Sequence, residues 1–297
     1  MEKYSMIKQI GSGSYGDVFL VRNNVDKKQY VQKRIFLKEG EKQTKETMQE
    51  VRLLSDLRHP NIVEFYESFL HDKQHLCIIM AFCEGGDLFS TLKARNKDHL
   101  DERQVLDWFV QISLALLYMH QKKVIHRDLK TQNIFLTKRG IVKLGDFGIS
   151  RVLDSSMDMA KTMIGTPYYM SPEVFENKAY DFKSDVWSLG CCLYEMLMLK
   201  HAFDAKEMPS LIYKVLKDEP IPISNHYSEN IRNLVSYLLE KQPNRRPSMA
   251  EVFQLPFIRQ HMQYSLKTNF SKYDLIKTMT MMMMEKERES SSNTHGT

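Results

Sequence analysis

The 297-residue chain has four cysteines, Cys77, Cys83, Cys191 and Cys192. None forms a C-x-x-C pair and two are adjacent, which argues against a zinc site and a disulfide framework and fits a reduced intracellular protein. No apolar run reaches the length of a membrane span. The N-terminal "MEKYSMIKQI" has no apolar signal core and no glycine for myristoylation. There is no dense basic block: a net charge of +5 is spread over 42 Lys+Arg, so nucleic acid is not indicated as a partner. No internal repeat is found. What is present is the composition of a soluble globular protein, 42% hydrophobic and 27% charged, long enough for one large or two small domains with a sizeable core.

Residues 4–36 alternate and break at glycine and at "NNVDKKQ", as strands and hairpins do. Helical spacing predicts a helix over 41–57, and "HPNIVEFYESF" and "HLCIIMAF" return to strand character. After a connector near Phe82–Gly86 the pattern changes. A long amphipathic helix is expected over 101–121 with Asp101 as its N-cap, and the chain stays mostly helical to about residue 262. This predicts a small β-rich part and a larger helical part, with a ligand in a cleft between them. From residue 263 the Met-rich stretch ending in Ser/Asn/Thr/Gly reads as a partly disordered tail.

Gly11, Gly13 and Gly16 form G-x-G-x-x-G, a string that two unrelated folds use to hold phosphates. In a dinucleotide fold a helix follows the third glycine. Here "DVFLV" follows, so strand, glycine turn and strand form a hairpin whose backbone N–H groups can cover a polyphosphate. In "YVQKRI", Val31 and Lys33 share one strand face while Gln32 points away, so Lys33 can reach phosphates and Val31 a purine. Glu50, near the middle of the 41–57 helix, is placed to pair with the ammonium. In "VIHRDLKTQNIFL", His126-Arg127-Asp128 precedes Asn133 with H-R-D-x-x-x-x-N spacing. Asp128 can accept a hydroxyl proton, and the Asn133 amide oxygen can bind a metal. In "KLGDFGIS", Asp146 offers a hard oxygen ligand for Mg²⁺, and Gly148 allows a sharp turn. "GTPYYMSPE" closes the segment at Glu173.

In this order the motifs resemble those of a protein kinase over about residues 4–262. "FCEGGDL", "HRDLKTQNIFL", "KLGDFGISRVL", "IGTPYYMSPE" and "KSDVWSLGCCLYEM" are similar to the NIMA-related (Nek) serine/threonine kinases. The resemblance implies an α+β, bilobal fold: a small β-rich N-lobe (about 4–82), a larger mainly helical C-lobe (about 87–262), and ATP and Mg²⁺ as cofactors. It implies that Gly11, Ser12, Gly13 and Gly16 cover the phosphates, with Ile10, Val18 and Val31 about the base. Lys33 would bind the α/β-phosphates and pair with Glu50. Met80 would stand as gatekeeper, Ala81 and Cys83 would present hinge backbone groups, and Asp87 would contact the ribose. Asp128 would be the base, Lys130 would steady the γ-phosphate, and Asn133 and Asp146 would bind metal. Glu173 would pair with Arg246. Phosphorylation is expected at Thr162, because Arg127 is a cation beside the base, whereas Thr166 would shape the acceptor pocket.

The family resemblance further implies Ser/Thr acceptors in protein substrates, microtubule-associated partners, and a cytoplasmic location with cytoskeleton, basal body or cilium as sites. Kinases that read arginine upstream of the acceptor carry a carboxylate just before the metal-binding asparagine. That position is Gln132, so an apolar residue three positions before the acceptor is expected instead. Ile149, directly after "DFG", suggests threonine over serine. The competing readings are a pseudokinase scaffold, whose signature would be loss of Lys33, Asp128 or Asp146, and a dinucleotide oxidoreductase, which lacks its helix here.

Overall fold

A computed structural model describes residues 3–13, 16–37, 51, 54–72, 74–146 and 167–268, with side chains to Tyr264. The described residues fall into two compact units. The first holds the stretch up to Arg58, Ile62–Ser90 and, from further along the chain, His126 to Asp146. Its centre is a five-stranded antiparallel sheet of order β1-β2-β3-β5-β4. The strands are β1 (Tyr4–Gly13), β2 (Gly16–Asn23), β3 (Gln29–Phe36), β4 (Phe65–His71) and β5 (His75–Ala81).

Strand alternation gives the sheet two different faces. On one, Ile35, Leu37, Val51, Leu76 and Ile78 cluster, with Leu54 and Phe65 packed on them. Of the helix expected over 41–57, residues 51 and 54–57 are described, with 51, 54 and 55 helical. On the other, Phe19, Val21, Tyr30 and Ile79 form a second cluster. Gln32 lies on this second face, where its Nε2 donates to Cys77 Sγ at 3.2 Å, so it points away from the Lys33 side as its strand parity requires. Full burial of such side chains stabilises by roughly 1.5–3 kcal/mol each.

A two-stranded hairpin, β6 (Ile134–Leu136) with β7 (Val142–Leu144), is tied by backbone bonds to the stretch before β4 and to the connector after β5. Val63 N–H donates to Leu144 O at 2.8 Å. Gly85 N–H donates to Leu136 O at 2.9 Å, and Leu136 N–H donates back to Gly86 O at 2.8 Å. These bonds explain why the segment from His126 packs with the sheet although it follows the long helix in sequence. They also explain two glycines: a Cβ on Gly85 would lie 2.7 Å from Leu136 O, and Gly86 has φ +73°.

The chain leaves the sheet through α1 (Leu88–Lys93). The second unit is built on α2 (Glu102–Gln121), whose residues from Val105 to Met119 are nearly all buried. Asp101 caps it, accepting from Arg103 N–H, as expected. After α3 (Pro172–Phe175) comes α4 (Phe182–Met198), started by a capping box between Asp181 and Ser184 and ended at Leu199 in the left-handed conformation. Helices α5 (Met208–Lys217), α6 (Glu229–Leu238), α7 (Met249–Val252) and α8 (Pro256–Thr268) complete the unit.

The Glu173–Arg246 pair forms as expected. Arg246 Nη1 and Nη2 donate to Glu173 Oε1 and Oε2 at 2.8 and 3.0 Å, and both residues are fully buried. Ser184 Oγ also donates to Glu173. Burial raises the carboxyl pKa, but the guanidinium outweighs it and holds Glu173 below its ordinary value.

Candidate active site

A pocket of about 280 Å³ opens in the first unit, and every residue lining it belongs to that unit. Its walls change character along its length. Ile10, Val18 and Val31 give it an apolar side from the sheet, and Met80, Ala81, Phe82 and Cys83 run along β5 and the connector. Phe135 and Val63 close it from the β6–β7 side. Lys33 and Asp146 stand at its polar end, and Asp87 lies beside Gly86. A slot that is apolar over most of its lining, with one ion pair, suits a planar base joined to an anionic group.

The strand register sets these positions. Lys33 is opposite Val18 on β2 and opposite Ile78 on β5, and Val31 is opposite Met80. The Lys33 ammonium contacts Asp146 Oδ1 directly. The lysine is buried while the Asp146 side chain is 40% exposed, so the aspartate can turn to a further partner. Asp146 takes φ +51°, a left-handed backbone that Asp tolerates better than most residues. The Ala81 N–H is donated to Glu64 O at 2.9 Å, so what Ala81 can offer a ligand is its carbonyl. Burial pushes the Cys83 thiol up to about 11, with Lys143 opposing, so it behaves as a small apolar wall.

A second cluster surrounds Asp128. Asn133 Nδ2 donates to Asp128 Oδ2 at 2.9 Å and to Asp128 O at 2.7 Å, and Lys130 Nζ lies 2.9 Å from the same Oδ2. Both groups thus hold the carboxylate through the same oxygen. With its nitrogen turned to Asp128, the Asn133 amide presents its oxygen on the other side. Gly145 N–H donates to Asn133 O at 3.0 Å, which holds the residue before Asp146 against Asn133. The Asn133 amide oxygen and the Asp146 carboxylate are hard donors of the kind Mg²⁺ takes. Two protein ligands are a small set, as expected where substrate phosphates complete the shell. Arg127, the cation beside Asp128, is half-buried at φ +66° and has a partner of its own.

Of the glycine turn, Gly13 is opposite Gly16 in the β1–β2 register, and Ser12 Oγ donates to Asp17 at 2.8 Å. Gly16, at φ +137°, has a demand of its own: a Cβ there would lie 1.9 Å from Arg34 O, so the close approach of β2 to β3 requires the glycine. Glu50, Gly148, Ile149, Thr162 and Thr166 lie outside the described residues. The structure brings together Ile10, Val18, Val31, Lys33, Met80, Ala81, Cys83, Asp87 and Asp146 in one pocket. Sequence reasoning missed Val63, Phe82, Gly86 and Phe135 as lining residues. The signal for Phe135 was available in the alternation of "NIFL", where it takes the side opposite Ile134 and Leu136.

A β1–β2 hairpin, an apolar slot with a lysine–aspartate pair at its polar end, and an aspartate clasped by Lys130 and Asn133 make up the arrangement of a protein kinase domain. The protein kinase domain family matches residues 4–258, and the chain belongs to that family. Within it, the chain is 48% identical over 270 residues to the serine/threonine-protein kinase Nek4 of Mus musculus, covering 91% of this chain and 34% of the relative. It is 48% identical over 264 residues to Nek1 of Mus musculus (89% and 22%) and 45% identical over 260 residues to Nek5 of Homo sapiens (87% and 37%). The chain therefore spans about a fifth to just over a third of these curated relatives.

Proposed function

We propose that the protein transfers the γ-phosphate of ATP to serine and threonine hydroxyls of protein substrates, as a Nek-type kinase. The observation that carries this reading is the contact between Lys33 and Asp146 at the polar end of an otherwise apolar pocket. The base lies between the sheet residues Ile10, Val18 and Val31 and the connector, against the carbonyl of Ala81 and the backbone of Cys83. Met80 bounds the slot behind it. The backbone of Gly11, Ser12, Gly13 and Gly16 covers the phosphates, and Lys33 binds them. Asn133 and Asp146 would hold Mg²⁺, which would supply charge neutralisation for the transferred group. Asp128, held by Asn133 and Lys130 through Oδ2, orients the acceptor hydroxyl and takes its proton. Lys130 steadies the transferred group. Lys33, Asp128 and Asp146 are all present, so no residue favours a scaffold reading.

Protein substrates and microtubule-associated partners, and a site at the cytoskeleton, basal body or cilium, belong to this proposal through the Nek likeness. Among the described residues no helix is long and apolar enough to cross a membrane. The test is Asp146→Asn, which keeps shape and removes a hard anionic ligand. Phosphotransfer to a serine/threonine peptide should fall by about 10³-fold or more while the far-UV spectrum and melting temperature hold. A rate near that of the wild type refutes the metal assignment.

A further inference from the structure

Asp17, the residue after the third glycine, gathers the β1 side of the glycine hairpin to itself. Its Oδ1 accepts from Ser12 Oγ at 2.8 Å and from Gln9 Nε2 at 3.0 Å, and Gln9 Nε2 also donates to Gly11 O at 3.3 Å. The register puts Ser12 opposite Asp17 and Gly11 opposite Val18, with an irregularity between Gln9 and Gly11. Val18 lines the pocket, so strand parity sends the Asp17 carboxylate to the other face of the hairpin, and Ser12, its cross-strand partner, shares that face. Arg34, opposite Asp17 on β3, belongs to the same face, where its guanidinium lies 5.0 Å from the centre of the Phe19 ring. An anionic side chain one residue past a phosphate-covering turn would repel a polyphosphate if it pointed inward. Here it is turned away, and its bonds go to the turn itself. What Ser12 can offer the pocket side is its backbone.

We infer that Asp17 is a positioning residue for the phosphates of the nucleotide: it holds the Ser12 hydroxyl on the outer face and so fixes the Gly11–Ser12 backbone that covers them. This rests on the ATP reading above and adds to it the side chain that shapes the cover. Gln9 keeps its bond to Gly11 O when the Asp17 carboxylate is removed, so the irregular step that carries Ile10 stays pinned at the base end. Loss of the carboxylate therefore falls on the phosphate end. A backbone ordered before its ligand arrives binds more tightly than one ordered at the moment of binding. Losing a hydroxyl bond of this kind corresponds to a change of about two- to ten-fold in affinity.

The experiment measures dissociation constants by titration calorimetry for Mg·ATP and for adenosine, which lacks the phosphates. The proteins are the wild type, Asp17→Ala, Asp17→Asn, Ser12→Ala and the double variant Ser12→Ala/Asp17→Ala. Asp17→Ala should weaken Mg·ATP about two- to ten-fold and leave adenosine within about 1.5-fold, with the KM for ATP rising in parallel. Asp17→Asn keeps an acceptor oxygen and should restore most of the affinity. Ser12→Ala should weaken Mg·ATP as much as Asp17→Ala, and the double variant no further, because each removes the same bond. Tighter ATP binding in both Asp17→Ala and Asp17→Asn would show the carboxylate acting on the phosphates through its charge, and overturns the inference. Equal weakening of ATP and adenosine makes Asp17 a general support of the sheet and overturns it too. A wild type that binds no Mg·ATP overturns the proposed function and the inference together, whereas a wild type that binds it no better than Asp17→Ala overturns the inference alone.

Discussion

Replacing Glu173 by glutamine keeps the side-chain shape and strands a buried cation. Arg246 is 1% exposed, and its guanidinium makes two charge-assisted bonds to Glu173. It also donates to three carbonyls, Glu240 O at 2.9 Å, Lys183 O at 2.7 Å and Lys241 O at 3.3 Å. In Glu173→Gln one bond becomes neutral, and the other faces an amide N–H toward a guanidinium N–H. Breaking one partner of a buried pair costs about 3–5 kcal/mol, and the three carbonyls keep this case near about 3 kcal/mol. That is a large share of a total stability of about 5–15 kcal/mol. With an m-value of roughly 3 kcal/mol/M, the urea midpoint should fall by about 1 M at pH 7. The pH dependence has a definite sign. The folded Glu173 carboxyl is held low against the raising effect of burial, so its stabilisation is fully present above the unfolded carboxyl value of about 4.3. It is lost as pH falls through the lower folded value, and the gap between variant and wild type should close there. Glu173→Leu combined with Arg246→Met should recover only part of the loss, because three carbonyls then lack their donor. A midpoint within about 0.2 M of wild type at pH 7 would refute the argument.

Two further outcomes are expected. Gly85→Ala places a methyl 2.7 Å from Leu136 O and 2.8 Å from Thr137 O, both backbone atoms, so stability should drop by about 1–3 kcal/mol and ATP affinity with it; an unchanged melting temperature and Kd would mean that the connector does not depend on this contact. A degenerate peptide array should show apolar enrichment three positions before the acceptor and no arginine preference, since Gln132 carries no charge and its Oε1 is buried without a hydrogen-bond partner among the described residues; a strong arginine signal at the second or third upstream position would count against both points.

Much of this fold was legible because its signals are local. Period-two alternation places Val31 and Lys33 on one face and Gln32 on the other, and the register agrees. Asp101 and the apolar run behind it announce the long helix, and the cap is where the residue types put it. The Glu173–Arg246 pair was legible through family likeness alone, since nothing in the spacing joins two residues so far apart. What escaped the sequence was the packing of chain-distant segments. No periodicity says that Gly85 must touch Leu136, or that Phe135 and Val63 close the pocket started by Ile10 and Val18. Nor does any periodicity say that Asp87, Phe135 and Asp146 join the sheet residues in one pocket, which follows from the bonds of the β6–β7 hairpin to Val63 and to the connector glycines Gly85 and Gly86.

Backbone strain also escaped, and it bears on function. Glycine is the usual mark of a left-handed position, which made Gly148 the expected turn. The described left-handed residues at the site are Arg127, next to the proposed base, and Asp146, the proposed metal ligand. Such conformations cost of order 1–3 kcal/mol each and persist only where the surroundings fix them. The fixing groups are identifiable. Asp128 is clasped through Oδ2 by Asn133 and Lys130, and Asn133 O accepts from Gly145 N–H, so the residues following Arg127 and preceding Asp146 are tied to a common asparagine. Gly145 itself admits no side chain, since a Cβ would lie 2.7 Å from Val63 Cγ2. Asn133 is therefore more than one of two proposed metal donors. Its amide nitrogen orients the proposed base and its carbonyl anchors the approach to Asp146, so in the proposed reaction one side chain and its own backbone couple the two charged groups that phosphoryl transfer needs in register.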